Sequence, residues 1–365
     1  MSPNPAALPD PWATFEGHER VVVARDEVTG TSMVIALHST VLGPALGGVR
    51  MTPYAGSAEP GAAAYADALR LSRAMTYKNA LAGLDHGGGK GVILGDPTAK
   101  SNDILHAFGR LVCSLDGAYV TAGDVGMTVA DMDVIGDACR WTTGRSPERG
   151  GVGDSGILTS LGVFRGIQAS VTETLDRESL DGVRVAVVGT GKVGGRLAAH
   201  LVEAGAEVTA FDPSLDARAA LADTVPSVRF MDSLEDLLAA ETDVLSPNAL
   251  GGLITAEVGQ TTSARVICGG ANNQLAEPAV ADLLAARGIV FAPDFMVNCG
   301  GVIQVAEELV GGDLDKARAR TEQVYATTRR VLQRAKTEGV TPVTAAEQEA
   351  EDRILRHRAS TEQVV

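Results

Sequence analysis

A strand, a glycine-rich turn and a helix in immediate succession constrain this chain more than any other stretch. Val183 to Val188 is an apolar run of strand length, Gly189-Thr190-Gly191-Lys192-Val193-Gly194 follows at once, and a helical pattern continues to about Ala204. Glu207 to Phe211 reads as the next strand and ends at Asp212. A lone G-x-G-x-x-G is a weak signal, but between a strand and a helix, with an acid closing the following strand, it is a dinucleotide-binding fingerprint. Its glycines let a pyrophosphate reach the helix N-terminus, where open amides and the helix dipole favour an anion. Asp212 would accept from the adenosine ribose hydroxyls and repel a 2′-phosphate, so the expected cofactor is NAD rather than NADP.

The same alternation of strand and helix continues with strands at Val244-Leu245, Arg265 to Cys268 and Ile289 to Phe291. Each runs straight into a polar or glycine-rich loop: Ser246 to Gly252, Gly269 to Asn273, and Ala292 to Asp294. In a doubly wound sheet the ligand lies beyond the carboxyl ends of the strands. Asn272 or Asn273 is therefore a candidate to orient an amide or a substrate group, a plain turn explaining either equally well, and Ala249 and Asn298 are further expected to bind the cofactor. Asn298 to Val305 opens a glycine-led helix with Val302 and Val305 on one side. A long amphipathic helix is expected from Asp313 to Lys336, and Thr344 with Glu347 reads as a capping box for a last helix to about His357.

A length of 365 residues allows about two domains, at roughly 150 residues each. The chain is 45% hydrophobic and 21% charged, as a globular protein with a sizeable core requires. A net charge of -15 argues against a nucleic-acid surface, which needs a basic face. The four cysteines lie far apart without a C-x-x-C, so neither a metal site nor a disulfide framework is expected, and a reducing cytoplasm suits them. No apolar run approaches the ~20 residues that span a bilayer, and no membrane partner is expected. The loop-like stretch from Trp141 to Ser155 marks the first domain boundary, with Ser155 as the N-cap of the helix that follows. The expected organisation is α/β with two domains: residues 149–331 form the doubly wound NAD domain, and residues 1–148 with 332–365 form a substrate and oligomerisation domain to which the C-terminal helices return.

In the first half, residues 1–18 read as a loose arm, and Arg20 to Arg25 and Ser32 to Ser39 as a hairpin about Asp26 to Gly30. Gly43 to Arg50 reads as a glycine-dense loop. Leu71, Ala74, Met75, Lys78, Leu81 and Ala82 fall on one helical face, which puts Lys78 on an apolar stripe. An ammonium there needs a partner or a water-filled cleft. Gly87-Gly88-Gly89 precede Lys90, and glycines let another molecule come close to the backbone. Two lysines on one cleft would hold an anion. Taken alone, the same residues describe a snorkelling lysine and a flexible turn at least as well. Asp124 sits where the strand Ala118 to Thr121 opens into a glycine loop, a position open both to a catalytic carboxylate and to a turn-forming aspartate. Between His200 and His357 there is no histidine, so the acid–base chemistry falls to lysines and an aspartate, which suits reactions of amines.

Six segments together resemble the glutamate/leucine/phenylalanine/valine dehydrogenase superfamily: Gly43 to Gly48, Tyr77 to Lys90, Thr121 to Gly126, Gly189 to Gly194, Gly269 to Gln274 and Ala292 to Val305. The resemblance runs from about Phe15 to Arg358. It is nearest to the leucine and valine dehydrogenases, the actinobacterial valine enzymes above all. It implies that Lys78 pairs with a substrate carboxylate, Lys90 is the base that activates water, and Asp124 handles protons at the amino group. It further implies that Asn272 holds substrate or nicotinamide, that Gly47 contacts the substrate, and that Leu46, Ala122, Val302 and Val305 line an apolar side-chain pocket. The implied reaction converts a branched-chain L-amino acid, NAD and water to the 2-oxo acid, ammonia and NADH, in a homo-oligomer. Phenylalanine is the alternative substrate, and a non-catalytic NAD-sensing protein the alternative class. Gly123, Met127 and Cys299 depart from the family pattern, the first two beside Asp124, where they bear on substrate preference.

Overall fold

Apolar runs rich in valine and isoleucine suit strands covered on both faces, and the chain uses them in two separate sheets. The computed structural model describes residue 15 and residues 17–249 and 251–362, so most of the N-terminal arm and Leu250 lie outside the described residues. Two compact units divide the chain. One takes the residues up to Asn79, Asp85–Gly151 and the end from His357; the other takes Ala80–Leu84 and Val152–Arg356.

In the first unit β1 (Arg20–Arg25) and β2 (Ser32–Ser39) form the expected antiparallel hairpin. Asp26 closes its turn by accepting from the amide and hydroxyl of Thr29 at 2.8 and 2.9 Å. There follow β3 (Ala45–Thr52), α1 (Pro60–Leu81), β4 (Gly87–Leu94), α2 (Asn102–Cys113), β5 (Tyr119–Gly123) and α3 (Val129–Ala138). The sheet order is β1-β2-β4-β3-β5, with β3 parallel to both β4 and β5. Phe108, Ile135, Ile35, Val49 and Tyr119 belong to the core shared with α2 and α3, while Ala64, Ala68, Val34 and Val92 form the core shared with α1.

Three expectations change here. Gly43 to Arg50 is not a loop: from Ala45 onward it is an interior strand, paired on both sides. The three glycines before Lys90 are not a flexible turn either, but the first residues of β4, buried throughout. A side chain on Gly88 would overlap the backbone nitrogen of Thr76 in α1, and one on Gly89 would stand 2.6 Å from the Tyr119 ring. Their bareness serves packing, of α1 at Gly88 and of the Tyr119 ring at Gly89, rather than access for a ligand. The arm is anchored at its end, because His18 is buried with a ring nitrogen 2.9 Å from Ser72 Oγ.

The second unit contains α4 (Gly156–Leu175), β6 (Arg184–Val188), α5 (Gly194–Glu203), β7 (Glu207–Phe211), α6 (Leu215–Thr224), β8 (Arg229–Phe230) and α7 (Leu234–Ala239). It continues with β9 (Val244–Pro247), α8 (Ala256–Thr261), β10 (Val266–Ile267), α9 (Val280–Ala286), β11 (Val290–Phe291) and α10 (Asp294–Val297). Helices α11 (Gly300–Leu309), α12 (Leu314–Glu322), α13 (Val324–Glu338) and α14 (Pro342–Glu362) complete the chain, the last residues of α14 belonging to the first unit. All six strands are parallel, in the order β11-β10-β9-β6-β7-β8. Numbered from β6 as the first, this is the 3-2-1-4-5-6 order of the doubly wound dinucleotide-binding fold.

Helix ends also differ in detail. Ser155 makes no side-chain cap; Asp154 accepts from the Gly156 amide at 2.9 Å instead. The expected long helix divides at Gln323, whose amide bonds to the Arg320 carbonyl in a tightened turn. Helix α14 starts earlier than the expected capping box, with Thr341 accepting from the Thr344 amide at 3.2 Å and Pro342 in the first helical position.

Because the Thr76 backbone lies inside α1 and cannot yield, Gly88→Ala should cost about 3 kcal/mol or more in a urea unfolding curve. An unchanged midpoint would show that α1 does not rest on β4 at backbone distance.

Candidate active site

Strand alternation directs Lys90 to the same face of the sheet as Val92, the side covered by α1. Asp124 follows the end of β5, its amide bonded to the carbonyl of Val49 in β3 at 3.1 Å. β3 therefore lies between the strands that deliver the two residues. It meets them with Gly48, where an added Cβ would stand 2.9 Å from the Asp124 Cβ. With no side chain in the way, Lys90 Nζ donates to Asp124 Oδ2 at 2.6 Å. Lys90 is 5% exposed, and a charge so deeply placed demands a counter-charge.

Sequence patterns gave no role to Arg50, yet its Nε donates to the same Asp124 oxygen at 3.1 Å, and its Nη1 to Asp67 Oδ2 at 2.9 Å. The available signal was one arginine in an otherwise apolar strand. Burial alone would raise the Asp124 carboxyl, but the charges of Lys90 and then Arg50 more than offset it. The group stays ionised well below the usual carboxylate range. Asn79, the neighbour of Lys78, also went unnoticed. Its Nδ2 donates to the carbonyls of Leu46 at 3.1 Å and Gly87 at 2.6 Å, pinning the end of α1 across β3 and β4. Lys78 is half-buried beside that clamp. Leu46 is fully buried, Ala122 nearly so, and the Gly47 carbonyl accepts from Tyr119 at 2.7 Å.

In the second unit the fingerprint glycines divide three tasks. Gly189 adopts φ +90° and approaches so near the Ala249 Cβ that a side chain would stand 2.8 Å from it. Gly194 packs against the Gly189 carbonyl, where a Cβ would overlap it. Gly191 faces open space, with nothing within 4 Å of an added Cβ. Gly189 follows β6 and Ala249 follows β9, adjacent strands from which the chain winds in opposite directions, so the loops part at the topological switch point.

Three features there fit a dinucleotide. Thr190 Oγ1 is buried without a hydrogen-bond partner among the described residues. Helix α5 starts after Val193 with no side-chain cap at its N-terminus, where the helix dipole favours an anion. The Asp212 carboxylate stands against the turn, accepting from the Thr190 amide at 2.7 Å and the Ser214 amide at 2.9 Å. Lys192 is exposed on the same turn.

Of the two asparagines left open by the sequence, Asn273 takes a left-handed backbone at φ 52° and its amide bonds to Asp294. Asn272 is exposed, and its Oδ1 accepts from Asn298 Nδ2 at 2.8 Å. Asn298 is itself tied to the Gly270 carbonyl at 3.2 Å. On α11, Val302 is half-buried and Val305 is 9% exposed. The geometry thus joins Lys90 with Asp124, the glycine turn with Asp212 and Ala249, and Asn272 with Asn298.

Residues 14–141 match the family described as "Glu/Leu/Phe/Val dehydrogenase, dimerisation domain", and residues 214–363 match "Glutamate/Leucine/Phenylalanine/Valine dehydrogenase". A valine dehydrogenase of Streptomyces albus is 51% identical over 94% of this chain and 94% of its own. A leucine dehydrogenase of Geobacillus stearothermophilus is 43% identical over 92% of this chain and 90% of its own. Among solved structures, the L-tryptophan dehydrogenase of Nostoc punctiforme superposes with a TM-score of 0.81 at 36% identity, covering 94% of this chain and 97% of that one.

The depressed Asp124 value has a defined sign. A folded pKa below the unfolded one adds stability that is present above about pH 4 and is lost as pH falls toward the folded value. Asp124→Asn strips Lys90 and Arg50 of their shared carboxylate and should cost about 3 kcal/mol near neutral pH. In denaturation curves the gap between wild type and variant should narrow below about pH 4; a gap independent of pH would refute the ionised pair.

Proposed function

The chain belongs to the Glu/Leu/Phe/Val dehydrogenase family, and from that premise we propose that it catalyses the reversible oxidative deamination of a branched-chain L-amino acid. Valine, leucine or isoleucine, NAD and water give the 2-oxo acid, ammonia and NADH. The observation that carries the chemistry is the buried Lys90–Asp124 pair, which puts a proton acceptor and a proton donor 2.6 Å apart.

Lys78 binds the substrate carboxylate and orients the α-carbon. Bound at the glycine turn, NAD supplies the acceptor for the hydride that leaves that carbon. Asp124 accepts a proton from the substrate ammonium. Lys90 takes a proton from the water that adds to the resulting imine and passes it to solvent; as the carbinolamine collapses, Asp124 returns a proton to the departing nitrogen and Lys90 accepts the proton of the hydroxyl that becomes the carbonyl. Gly189, Thr190, Gly191, Lys192, Val193 and Gly194 hold the pyrophosphate through the turn and the uncapped start of α5. Asp212 binds the adenosine ribose, and Ala249, Asn272 and Asn298 the nicotinamide end. Leu46, Gly47 and Ala122 give the substrate side chain an apolar wall. Such a wall offers no cation to a γ-carboxylate, which argues against glutamate as substrate. Among aliphatic substrates one methylene changes discrimination by only about 1–3 kcal/mol, so several branched-chain acids should be accepted.

The match of residues 14–141 to a dimerisation domain supports a homo-oligomer. Free thiols at Cys113, Cys139, Cys268 and Cys299 support work in the reducing cytoplasm. Among the described residues no helix is long and apolar enough to cross a membrane.

A panel of L-amino acids with NAD, followed at the NADH absorbance, tests the reading. Valine, leucine and isoleucine should be turned over fastest, with Lys90→Ala losing about 100-fold or more while NAD affinity persists. Faster turnover of phenylalanine or tryptophan would overturn the branched-chain assignment. Asp212→Ala should lower the preference for NAD over NADP by about 10-fold or more; an unchanged ratio would remove Asp212 from the ribose site.

A further inference from the structure

Arg50 is hydrogen-bonded to the aspartate of the reacting pair, and the reaction so far gives it nothing to do. Its planar guanidinium spans two carboxylates, with Nε on Asp124 Oδ2 at 3.1 Å and Nη1 on Asp67 Oδ2 at 2.9 Å. Asp67 is held in turn, accepting from the Tyr54 hydroxyl at 2.7 Å on the same oxygen and from Arg70 at 2.6 Å on the other. The arginine is thus aimed from behind, with its Nε edge toward the aspartate that handles substrate protons. Its side chain is 17% exposed and that of Asp124 18%, so solvent screens the contact only in part.

Lys90 and Arg50 use the same oxygen of Asp124 but differ chemically. In the reaction proposed above, Lys90 gives and takes a proton in every turnover, so its positive charge is absent for part of each cycle. A guanidinium does not deprotonate in a protein. While Lys90 is neutral, the half-buried Asp124 would have no cation beside it except Arg50, and burial would favour its taking up a proton out of turn. We propose that Arg50 is a positioning residue: a permanent cation that holds the Asp124 carboxyl in plane and, with Lys90 neutral, keeps it charged until the substrate ammonium delivers its proton. Asp67 and Tyr54 set the angle of the guanidinium. The inference rests on the amine chemistry assigned to Lys90 and Asp124 and adds three residues that act through Asp124 without touching substrate.

The test compares wild type, Arg50→Gln, Arg50→Lys and Tyr54→Phe over a range of pH, with the best substrate of the panel. Arg50→Gln should lower kcat about 100-fold, as for a misaligned catalytic group, with KM for the amino acid within about 3-fold. Removing a cation makes neighbouring groups hold protons more tightly, so the rise of activity with pH should move about one unit upward. Arg50→Lys restores the charge and should return the profile close to wild type. Its kcat should stay reduced, because an ammonium cannot bridge both carboxylates with a planar fork. Tyr54→Phe should lower kcat only a few-fold. Carbon-13 NMR of the Asp124 carboxyl against pH reads the same effect without turnover, since Arg50 is one of the charges that hold that group ionised. An upward shift in Arg50→Gln supports the inference even if the panel fails to find the substrate.

Wild-type kcat in Arg50→Gln, or reduced activity with both the pH profile and the protonation of Asp124 unmoved, overturns it. Should Arg50→Gln not fold, Arg50→Lys decides: full wild-type kcat there shows that the bridging geometry is dispensable and overturns the proposal. Inactivity of the wild type itself on every amino acid, with the protonation of Asp124 still governed by Arg50, condemns the proposed reaction and not the electrostatic role.

Discussion

Helix α1 rests on β4 at backbone distance, and the arrangement of the first unit follows from that contact. Gly88 leaves no side chain between the strand and Thr76, and Asn79 fastens the helix end to the carbonyls of Leu46 and Gly87. A helix this close to a sheet excludes water from the strand face beneath it, so the lysine two residues beyond Gly88 is 5% exposed. A charge buried there is tolerable only with charged partners in good geometry. Asp124 answers Lys90, Arg50 supports Asp124, and Asp67 answers Arg50, so the charges alternate in sign along the chain of contacts. A packing constraint and the chemistry therefore share one cause.

Glycine does the opposite work in the second unit at one position and similar work at two. Gly189 and Gly194 are bare because Ala249 and the turn's own carbonyl come too near, whereas Gly191 is bare toward open space. Only the last is a vacancy a ligand can use. The triple glycine of β4 reads like a ligand loop in sequence and proves to be packing. The difference lies in what stands opposite each Cα, which a string of glycines does not encode.

Much of the second unit was legible because its signals are local. A buried strand, the glycine turn, a helix and a terminal acid fall within one stretch of chain, and Asp212 does reach the Thr190 amide. The hairpin of β1 and β2, helix α1 and the strands β5, β6, β7 and β9 likewise follow from short-range periodicity. The interior strand β3 was not legible. Its glycines mimic a loop, and only pairing on both sides makes the run extended. Helix caps misled for a related reason: Asp154 and Thr341 compete with Ser155 and Thr344 as caps, and the winner depends on where the backbone turns.

By itself the sequence determined the α/β class, the dinucleotide fingerprint with its acid, and the identity of Lys78, Lys90 and Asp124 as candidates, because each is written in adjacent residues or in a motif of fixed spacing. The tertiary structure alone decided that β3 brings Lys90 and Asp124 to one oxygen-to-nitrogen contact across a bare Gly48. It alone decided that Arg50, Asp67 and Tyr54 stand behind that pair, and that Asn272 rather than Asn273 joins Asn298. Those contacts link residues from different strands and helices, so no local pattern records them. They arise only when the sheet register and the depth of burial are set.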